Sequence, residues 1–325
     1  MRGEKNCSGQ TTRSSSDNAD ACFLALNVKV LLDHCGTIGL LSLTQFVQFG
    51  FFLPTQQRDR LMDQYSMTFK ALQAGLTVEG VTMYLFWLGI VGMGAGAIYL
   101  WMMQGALSAT YRKVAIVAGI ICGVACFHYY RMSGIYVEAL AAAISLDADG
   151  NVVIGELAAF PTAYRYIDWL ITVPLMVLEF PLLLNLGKRG AGLFWGLGLV
   201  SLFMLVFAWI AETSAVGSGQ WWGFYLVSCF LWVVMVGILY GQVTRAAAHL
   251  PSEFLSTLNV MKLFIAVGWI IYPIGFLLAL SDNESLREIL YNIADVINKV
   301  GFGVACVIAA KTLSRYESEG KLSAK

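Results

Sequence analysis

Charged residues are scarce in this sequence. Only 13% of the 325 residues are Asp, Glu, Lys or Arg, whereas 58% are apolar. Soluble domains carry about twice that fraction of charge, so the composition excludes a soluble globular protein. The 21 basic and 21 acidic residues also balance, and no excess of positive charge indicates nucleic acid as a partner. The composition predicts an integral membrane protein surrounded by a lipid bilayer.

Other signatures are missing as well. The seven cysteines follow no metal-binding or disulfide spacing, so no metal site is predicted. Four of them lie in apolar stretches, where small buried packing residues are expected; these are Cys122, Cys126, Cys229 and Cys306. The sequence shows no internal repeat and no soluble catalytic domain, so the chain is not expected to be an enzyme.

Long apolar runs recur from about residue 82 onward. Each is about 20 residues long, which is enough to cross a hydrocarbon core of about 30 Å. Continuous apolar runs favour helices over barrel strands, in which apolar and polar residues would alternate. The prediction is an all-α bundle of seven transmembrane helices at approximately residues 82–103, 113–137, 162–186, 191–212, 222–243, 259–280 and 287–312.

Basic residues concentrate on one side of the predicted bundle. The loops after the first, third and fifth spans and the C-terminal tail contain Arg112, Lys113, Lys188, Arg189, Arg245, Lys311, Arg315, Lys321 and Lys325. The opposite loops are acidic, and Arg287 is almost their only positive residue. Positive charge is retained on the cytoplasmic side. The N-terminus is therefore expected outside and the C-terminus in the cytoplasm.

Residues 1–80 differ from the rest of the chain. They are polar to about Asn18 and then include a weakly apolar stretch, residues 35–54, that Gln45 and Gln48 interrupt. Two interpretations stay open, a cleaved or masking targeting segment and an amphipathic segment at the membrane surface. Residues 81–313 form the predicted helical domain, and 314–325 form a short cytoplasmic tail. The extension favours a eukaryotic targeting route, with the plasma membrane and an endomembrane both open.

The third span, "RYIDWLITVPLMVLEF" (residues 165–180), contains charge at membrane depth. Asp168 and Glu179 are separated by three helical turns, which returns to nearly the same face about 16 Å further along. Arg165 and Thr172 lie on the same stripe. Ionisable residues at this depth usually face the bundle interior and indicate a functional path. Two carboxylates at opposite depths predict a proton route.

The seventh span places Asp295 and Lys299 four residues apart, so both side chains project from one helix face. A buried ammonium group must find a partner or lose its proton. A lysine of this kind is suited to a Schiff base with an aldehyde, and Asp168 and Asp295 are the available counterions. A purely structural ion cluster is the alternative, but such clusters are costly.

Aromatic residues accompany these charges. "WIIYPIGF" in the sixth span places Trp269 and Tyr272 on one face, and Trp169 follows Asp168. Together they could form the walls of a slot for a flat apolar ligand, although any one of them alone is more typical of ordinary core packing.

These motifs resemble those of a known family. "CFHYYRMSGIY", "RYIDWLITVPLMVLEF", "WIIYPIGF" and "ADVINKVGFG", on the second, third, sixth and seventh spans, are similar to microbial rhodopsins of the proteorhodopsin and xanthorhodopsin type. The resemblance covers about residues 82–312 and leaves out the first 80.

The resemblance implies a role for each matching residue. Lys299 would carry all-trans retinal as a protonated Schiff base, Asp168 would be the counterion and proton acceptor, and Asp295 the second counterion. Glu179 would be the proton donor. His128, Arg165 and Thr172 would tune the acceptor, with His128 hydrogen-bonded to it. Trp169, Met176, Trp269 and Tyr272 would line the retinal pocket.

The residues agree with these implied roles. Asp168 beside Arg165 should be ionised, and Glu179 among apolar neighbours should keep its proton. The expected function is a light-driven outward proton pump. A photosensory rhodopsin that signals through a partner protein is the runner-up, but such receptors commonly lack a donor carboxylate. A light-gated channel is a third option, and no further row of glutamates supports it.

Finer properties rest on the resemblance alone. An apolar residue at Met176, eight residues after Asp168, is similar to green-absorbing members. A homo-oligomer of five or six copies is expected by resemblance. Whether a carotenoid antenna binds stays open, because the fifth span offers small Gly223 and Ser228 but also bulky neighbours.

Overall fold

The computed structural model describes residues 55–281 and 284–322. The apolar stretch at 35–54 and the tail residue Lys325 lie outside the described residues. The whole bundle belongs to one compact unit that begins at residue 64. A helix at Thr55–Ala71 and a short 3-10 turn at Leu72–Ala74 precede the first membrane helix.

Within the described residues, seven helices are long and apolar enough to cross a membrane. They are called the first to the seventh helix in chain order, and they span Val78–Ala106, Arg112–Ala143, Thr162–Leu184, Gly187–Glu212, Gly219–Ala247, Ser252–Leu280 and Glu284–Ser318. The all-α, seven-helix prediction is confirmed. The protein is an integral, multi-pass membrane protein.

Six of the seven helices extend beyond the predicted spans because hydropathy detects only the part of a helix inside the hydrocarbon core; the third begins at Thr162 as predicted and ends at Leu184 rather than at 186. The first helix begins at Val78 rather than 82, after Thr77, whose side chain accepts a hydrogen bond from the Gly80 amide at 3.1 Å. Ser218 caps the fifth helix in the same way through the Trp221 amide at 3.1 Å. Polar caps of this kind satisfy amides that have no partner within the helix.

A small antiparallel hairpin connects the second and third helices. Strands β1 (Ile144–Leu146) and β2 (Val152–Ile154) pair with Ile144 opposite Ile154. In the turn, Asp147 Oδ1 accepts hydrogen bonds from the amides of Asp149 and Asn151 at 3.0 and 2.7 Å. The bonds from Asn151 lower the pKa of Asp147. The Asp147 side chain thus stabilises the turn between the two strands.

Two helices contain irregular turns near the middle of the bundle. The sixth helix has a 3-10 turn at Gly268–Ile270. Pro273 follows three residues after the end of this turn. The seventh helix widens to a π-helical turn at Ile297–Gly301, which contains Lys299. π-Helical turns frequently mark functional sites. The irregular turns therefore lie where the sequence predicted the site.

The first and second helices approach closely at Gly89. A Cβ atom at this position would lie 2.3 Å from Cδ1 of the buried Tyr129 ring. Only glycine fits at so short a distance, because protein interiors are close-packed. The four cysteines of the described residues are free; Cys122 and Cys306 are buried as predicted, whereas Cys126 and Cys229 are only partly buried.

We expect Gly89→Ala to lower the stability of the bundle by about 1–3 kcal/mol, because the added methyl group must displace a packed ring. The matched control is Gly123→Ala, whose Cβ would meet its nearest neighbour, Ala97 Cβ, at 3.9 Å. Thermal unfolding in detergent measures both. Equal melting temperatures for the two variants would contradict the close approach at Gly89.

Candidate functional site

Lys299 lies between two carboxylates in the centre of the bundle. Its Nζ is 2.9 Å from Asp168 Oδ2 on the third helix and 3.0 Å from Asp295 Oδ1 on its own helix. All three side chains are at most 2% exposed. The structure thus brings together the three residues that the sequence predicted would carry the central chemistry.

The two carboxylates differ in their hydrogen bonds. Asp295 accepts from Tyr272 Oη at 2.8 Å, from Tyr129 Oη at 3.0 Å and from Trp169 Nε1 at 3.3 Å. Asp168 accepts from Lys299 through Oδ2, and its buried Oδ1 has no hydrogen-bond partner. Donors stabilise the ionised form of a carboxylate. Asp295 is therefore held as an anion, whereas Asp168 has an oxygen free to take a proton.

Arg165 forms the next layer of this site. Its guanidinium donates to Glu288 Oε2 from Nε at 2.8 Å and from Nη2 at 2.5 Å, and to Asn292 Oδ1 at 2.6 Å. Nη1 donates to Tyr129 Oη at 3.1 Å and lies 3.7 Å from Asp295. Arg165 thus lies beside one counterion, Asp295, whereas its predicted neighbour Asp168 is not among these hydrogen-bond and ion-pair partners.

The sequence reasoning missed Glu288 and Tyr129. Glu288 precedes Asp295 by two helical turns, so a heptad spacing on one face could have revealed it. Tyr129 has no such signal, because a tyrosine in an apolar span is typical of core packing. Beyond Glu288, Arg287 donates to Thr162 Oγ1 at 2.6 Å and pairs with Glu212 at 3.3 Å.

Glu179 is isolated from this network. It is fully buried, and neither Oε1 nor Oε2 has a hydrogen-bond partner. Thr172, between Asp168 and Glu179 on the helix, donates to the Asp168 carbonyl at 3.0 Å. A buried carboxylate without partners is strongly disfavoured. The surroundings of Glu179 therefore favour a neutral, protonated side chain.

His128 does not form the predicted hydrogen bond with the acceptor. Its Nδ1 donates to the Val124 carbonyl one turn earlier, at 2.9 Å, and its ring lies 5.8 Å from that of Tyr164. Asp168 Oδ1 stays without a partner. The bond to the Val124 carbonyl occupies one of the two ring nitrogens, Nδ1.

A cavity extends from Lys299 and Asp295 toward the fourth, fifth and sixth helices. All four predicted pocket residues, Trp169, Met176, Trp269 and Tyr272, lie along it, and the rest of its lining is Tyr166, Val173, Met204, Leu205, Ala208, Tyr225, Ser228, Cys229, Trp232, Pro273, Phe276 and Tyr291. Of the two small residues of the fifth helix, Ser228 is in this lining, whereas a Cβ built on Gly223 meets nothing within 4 Å. The lining is mostly apolar and aromatic, and Lys299 and Asp295 are its charged residues.

Comparison with protein families places the chain. The family described as bacteriorhodopsin-like protein matches residues 80–313, and the chain belongs to this family. The match ends where the predicted helical domain ends. The predicted resemblance to microbial rhodopsins is confirmed.

Three relatives share much of their length with this chain. Green-light absorbing proteorhodopsin of Gamma-proteobacterium EBAC31A08 is 31% identical over 243 residues, 73% of this chain and 89% of that protein. Blue-light absorbing proteorhodopsin of Gamma-proteobacterium Hot 75m4 is 31% identical over 244 residues, with the same coverage. Sensory rhodopsin-2 of Natronomonas pharaonis is 29% identical over 246 residues, 72% of this chain and 92% of that protein.

Solved structures support the fold. The crystal structure of Exiguobacterium sibiricum rhodopsin matches with a TM-score of 0.62 and 38% identity, over 72% of this chain and 98% of that one. Xanthorhodopsin, a light-driven ion pump with dual chromophore, matches with a TM-score of 0.66 and 26% identity, over 74% of this chain and 96% of that one.

We expect Glu288→Gln to destabilise the protein by about 3–5 kcal/mol, because it leaves the buried Arg165 guanidinium without its nearest countercharge. Glu253→Gln is the control, since Glu253 pairs with Arg315 at the surface, where both side chains are about half exposed. That pair is worth less than about 1 kcal/mol. A similar loss of thermal stability in both variants would show that the buried Arg165–Glu288 pair contributes no more to stability than the exposed Glu253–Arg315 pair.

Proposed function

We propose that this protein is a light-driven outward proton pump that carries all-trans retinal on Lys299. The observation that carries the proposal is the position of Lys299 Nζ, which lies between two unequally bonded carboxylates at the end of an aromatic cavity. The relatives named as proteorhodopsins and the structural neighbour named as a light-driven ion pump support the same function.

The residues of the cavity fit retinal. An elongated apolar aldehyde requires an apolar slot with a primary amine at one end, and Trp169, Trp269 and Met176 along the cavity with Lys299 at its end meet that requirement. When bound, retinal supplies absorption of visible light and a change of shape on isomerisation. The residues around Lys299 must direct the proton to one side of the membrane.

Asp168 is the proposed acceptor. Its Oδ2 lies 2.9 Å from Lys299 Nζ, within direct transfer distance, and its partnerless Oδ1 can hold the arriving proton. Asp295 is equally close, but three side-chain donors stabilise its anion. A proton that leaves Nζ is therefore expected on Asp168.

Glu179 is the proposed donor. It lies about three helical turns from Asp168 on the same helix, on the side of Lys299 away from Arg165 and Glu288. Its dry surroundings keep a proton on the carboxyl group until Nζ has lost its own. Acceptor and donor on opposite sides of the lysine give transport in one direction.

The direction follows from the proposed orientation. Arg112, Lys113, Lys188 and Arg189 lie at the Glu179 end of the bundle, and because positive charge is retained on the cytoplasmic side, we infer that this end is cytoplasmic. The N-terminus and the Arg165 layer then face outward. Protons enter through Glu179 and leave past Arg165.

Finer properties belong to the same proposal. Met176 is buried and lines the cavity, and by resemblance we infer a green-absorbing pigment and a ring of five or six copies. An absorption maximum well into the blue would contradict the first inference.

A photosensory function is the second candidate. It is favoured by the 29% identity to sensory rhodopsin-2 of Natronomonas pharaonis. A sensor requires no dedicated proton donor, so the buried Glu179 favours the pump.

Cells that contain the protein and retinal should acidify their medium under illumination, and a protonophore should abolish the change. Glu179→Gln should slow the return of the proton to Lys299 by about 10²-fold or more, since a positioned proton donor contributes about that factor. Glu253→Gln, at the cytoplasmic end of the sixth helix, should leave pumping unchanged. A coloured pigment without any pH change would favour the sensor instead.

Lys299→Arg should abolish the visible pigment, because arginine keeps the positive charge but cannot bind an aldehyde covalently. Lys262→Arg is the matched control: Lys262 is also a buried membrane lysine, 2% exposed, but it bonds to Thr244 Oγ1 at 2.9 Å away from the cavity. Absorption spectra after addition of all-trans retinal measure both. Normal colour in Lys299→Arg would place retinal on another residue.

A further inference from the structure

A side-chain hydrogen bond joins the irregular turns of the sixth and seventh helices near the middle of the bundle. Asn298, in the π-helical turn of the seventh helix, donates from Nδ2 to the Gly268 carbonyl in the 3-10 turn of the sixth helix, at 3.0 Å. Asn298 is 2% exposed. Each partner is next in sequence to a residue of the site, Asn298 to Lys299 and Gly268 to Trp269.

The sixth helix is weakened where this bond is made. The Ile270 amide bonds to the Val267 carbonyl three residues back, at 3.1 Å. Pro273 lacks the amide hydrogen that would bond the Trp269 carbonyl. A turn with fewer regular hydrogen bonds is more easily displaced. The Asn298 amide therefore bonds the sixth helix within its irregular turn, one residue before the Trp269 carbonyl that lacks its regular helical partner.

The contact between Asn298 and Gly268 leaves no space for a side chain at position 268. A Cβ atom on Gly268 would lie 2.3 Å from Asn298 Oδ1 and 3.3 Å from Cγ. The sixth and seventh helices can hold this distance only with glycine at one position and a compact amide at the other. The pair thus fixes the separation of the turn that carries Lys299 from the turn that carries Trp269.

Packing alone does not explain a buried amide here. The Oδ1 atom of Asn298 has no hydrogen-bond partner, and burying such a group is unfavourable. An apolar residue of the same size would fill the space without that cost. The bond to Gly268 is what the amide provides in return.

We propose that Asn298 is a positioning residue, whose bond to the Gly268 carbonyl holds the Lys299 turn against the Trp269 wall of the cavity and so keeps Nζ within transfer distance of Asp168. This inference rests on the proposed function. Proton transfer depends steeply on a fixed geometry, so loosening this contact slows the transfer while Lys299 and Asp168 stay intact.

A double-mutant cycle tests the contact from both sides. Asn298→Ala removes the side-chain amide. Gly268→Ala adds a methyl group that displaces this amide. In the double variant the methyl group is present, but no amide remains for it to displace. Asn298→Ala should slow light-induced transfer from Nζ to Asp168 about fivefold, equivalent to about 1 kcal/mol at 1.36 kcal/mol per tenfold. Gly268→Ala should do the same, and the double variant should match Asn298→Ala alone. Flash absorbance measures the rate.

The retinal-free protein provides a second readout. Gly268→Ala should lower its melting temperature by several degrees with Asn298 present and should change it little in the Asn298→Ala background. The matched control is Gly275→Ala, whose Cβ would lie 2.5 Å from Cε1 of Tyr291 on the seventh helix. Its effect should add to that of Asn298→Ala, because Tyr291 and not Asn298 is displaced.

Additive effects of Gly268→Ala and Asn298→Ala, or an unchanged transfer rate in both, would overturn the positioning role. A fall in melting temperature with a normal transfer rate would also overturn it, since that is the result of packing alone. If the unmodified protein formed no pigment, the proposed function would fail separately, and the retinal-free cycle would still show whether the contact couples the two helices.

Discussion

The rest of the structure depends on one constraint, the cost of placing charge inside a membrane. An ammonium at the depth of Lys299 is tolerated only with countercharge beside it, and the third helix must therefore bring Asp168 to within hydrogen-bond distance. Arg165 on the same helix is balanced in turn by Glu288 on the seventh. These two pairs fix the third helix against the seventh, and the aromatic cavity lies beside the helix pair so formed.

Pairing alone would give a rigid and inert cluster. What makes the site able to act is that the bonds are unequal: Asp295 is bonded by three donors, whereas Asp168 keeps a buried oxygen without one. The number of hydrogen bonds also differs along the third helix, because the Glu179 carboxyl group has no hydrogen-bond partner. The buried carboxyl groups thus differ in how readily each holds a proton, and this difference is what a directed proton route requires.

Much of this was predictable from sequence, for identifiable reasons. Membrane spans are long and uniform, and charges within them are so rare that Asp168, Glu179, Asp295 and Lys299 stand out by type and spacing. Six of the seven helices were predicted too short at one end or both, because capping turns lie outside the apolar windows. Tyr129 was missed because its role depends on a neighbour on another helix.

The partnerless surroundings of Glu179 also have an electrical consequence. In the proposed pump, the buried, apolar layer around Glu179 acts as an insulator, whereas the half with the arginine and carboxylate layers is polarisable. The voltage across the membrane would then fall mainly across the Glu179 half. Moving one charge through the full potential costs about 2.3 kcal/mol per 100 mV, and in the proposed route most of that work falls on the transfer from Glu179 to Lys299. An energised membrane would thus oppose chiefly this step, and the proposed pump would slow as the gradient approaches its limit.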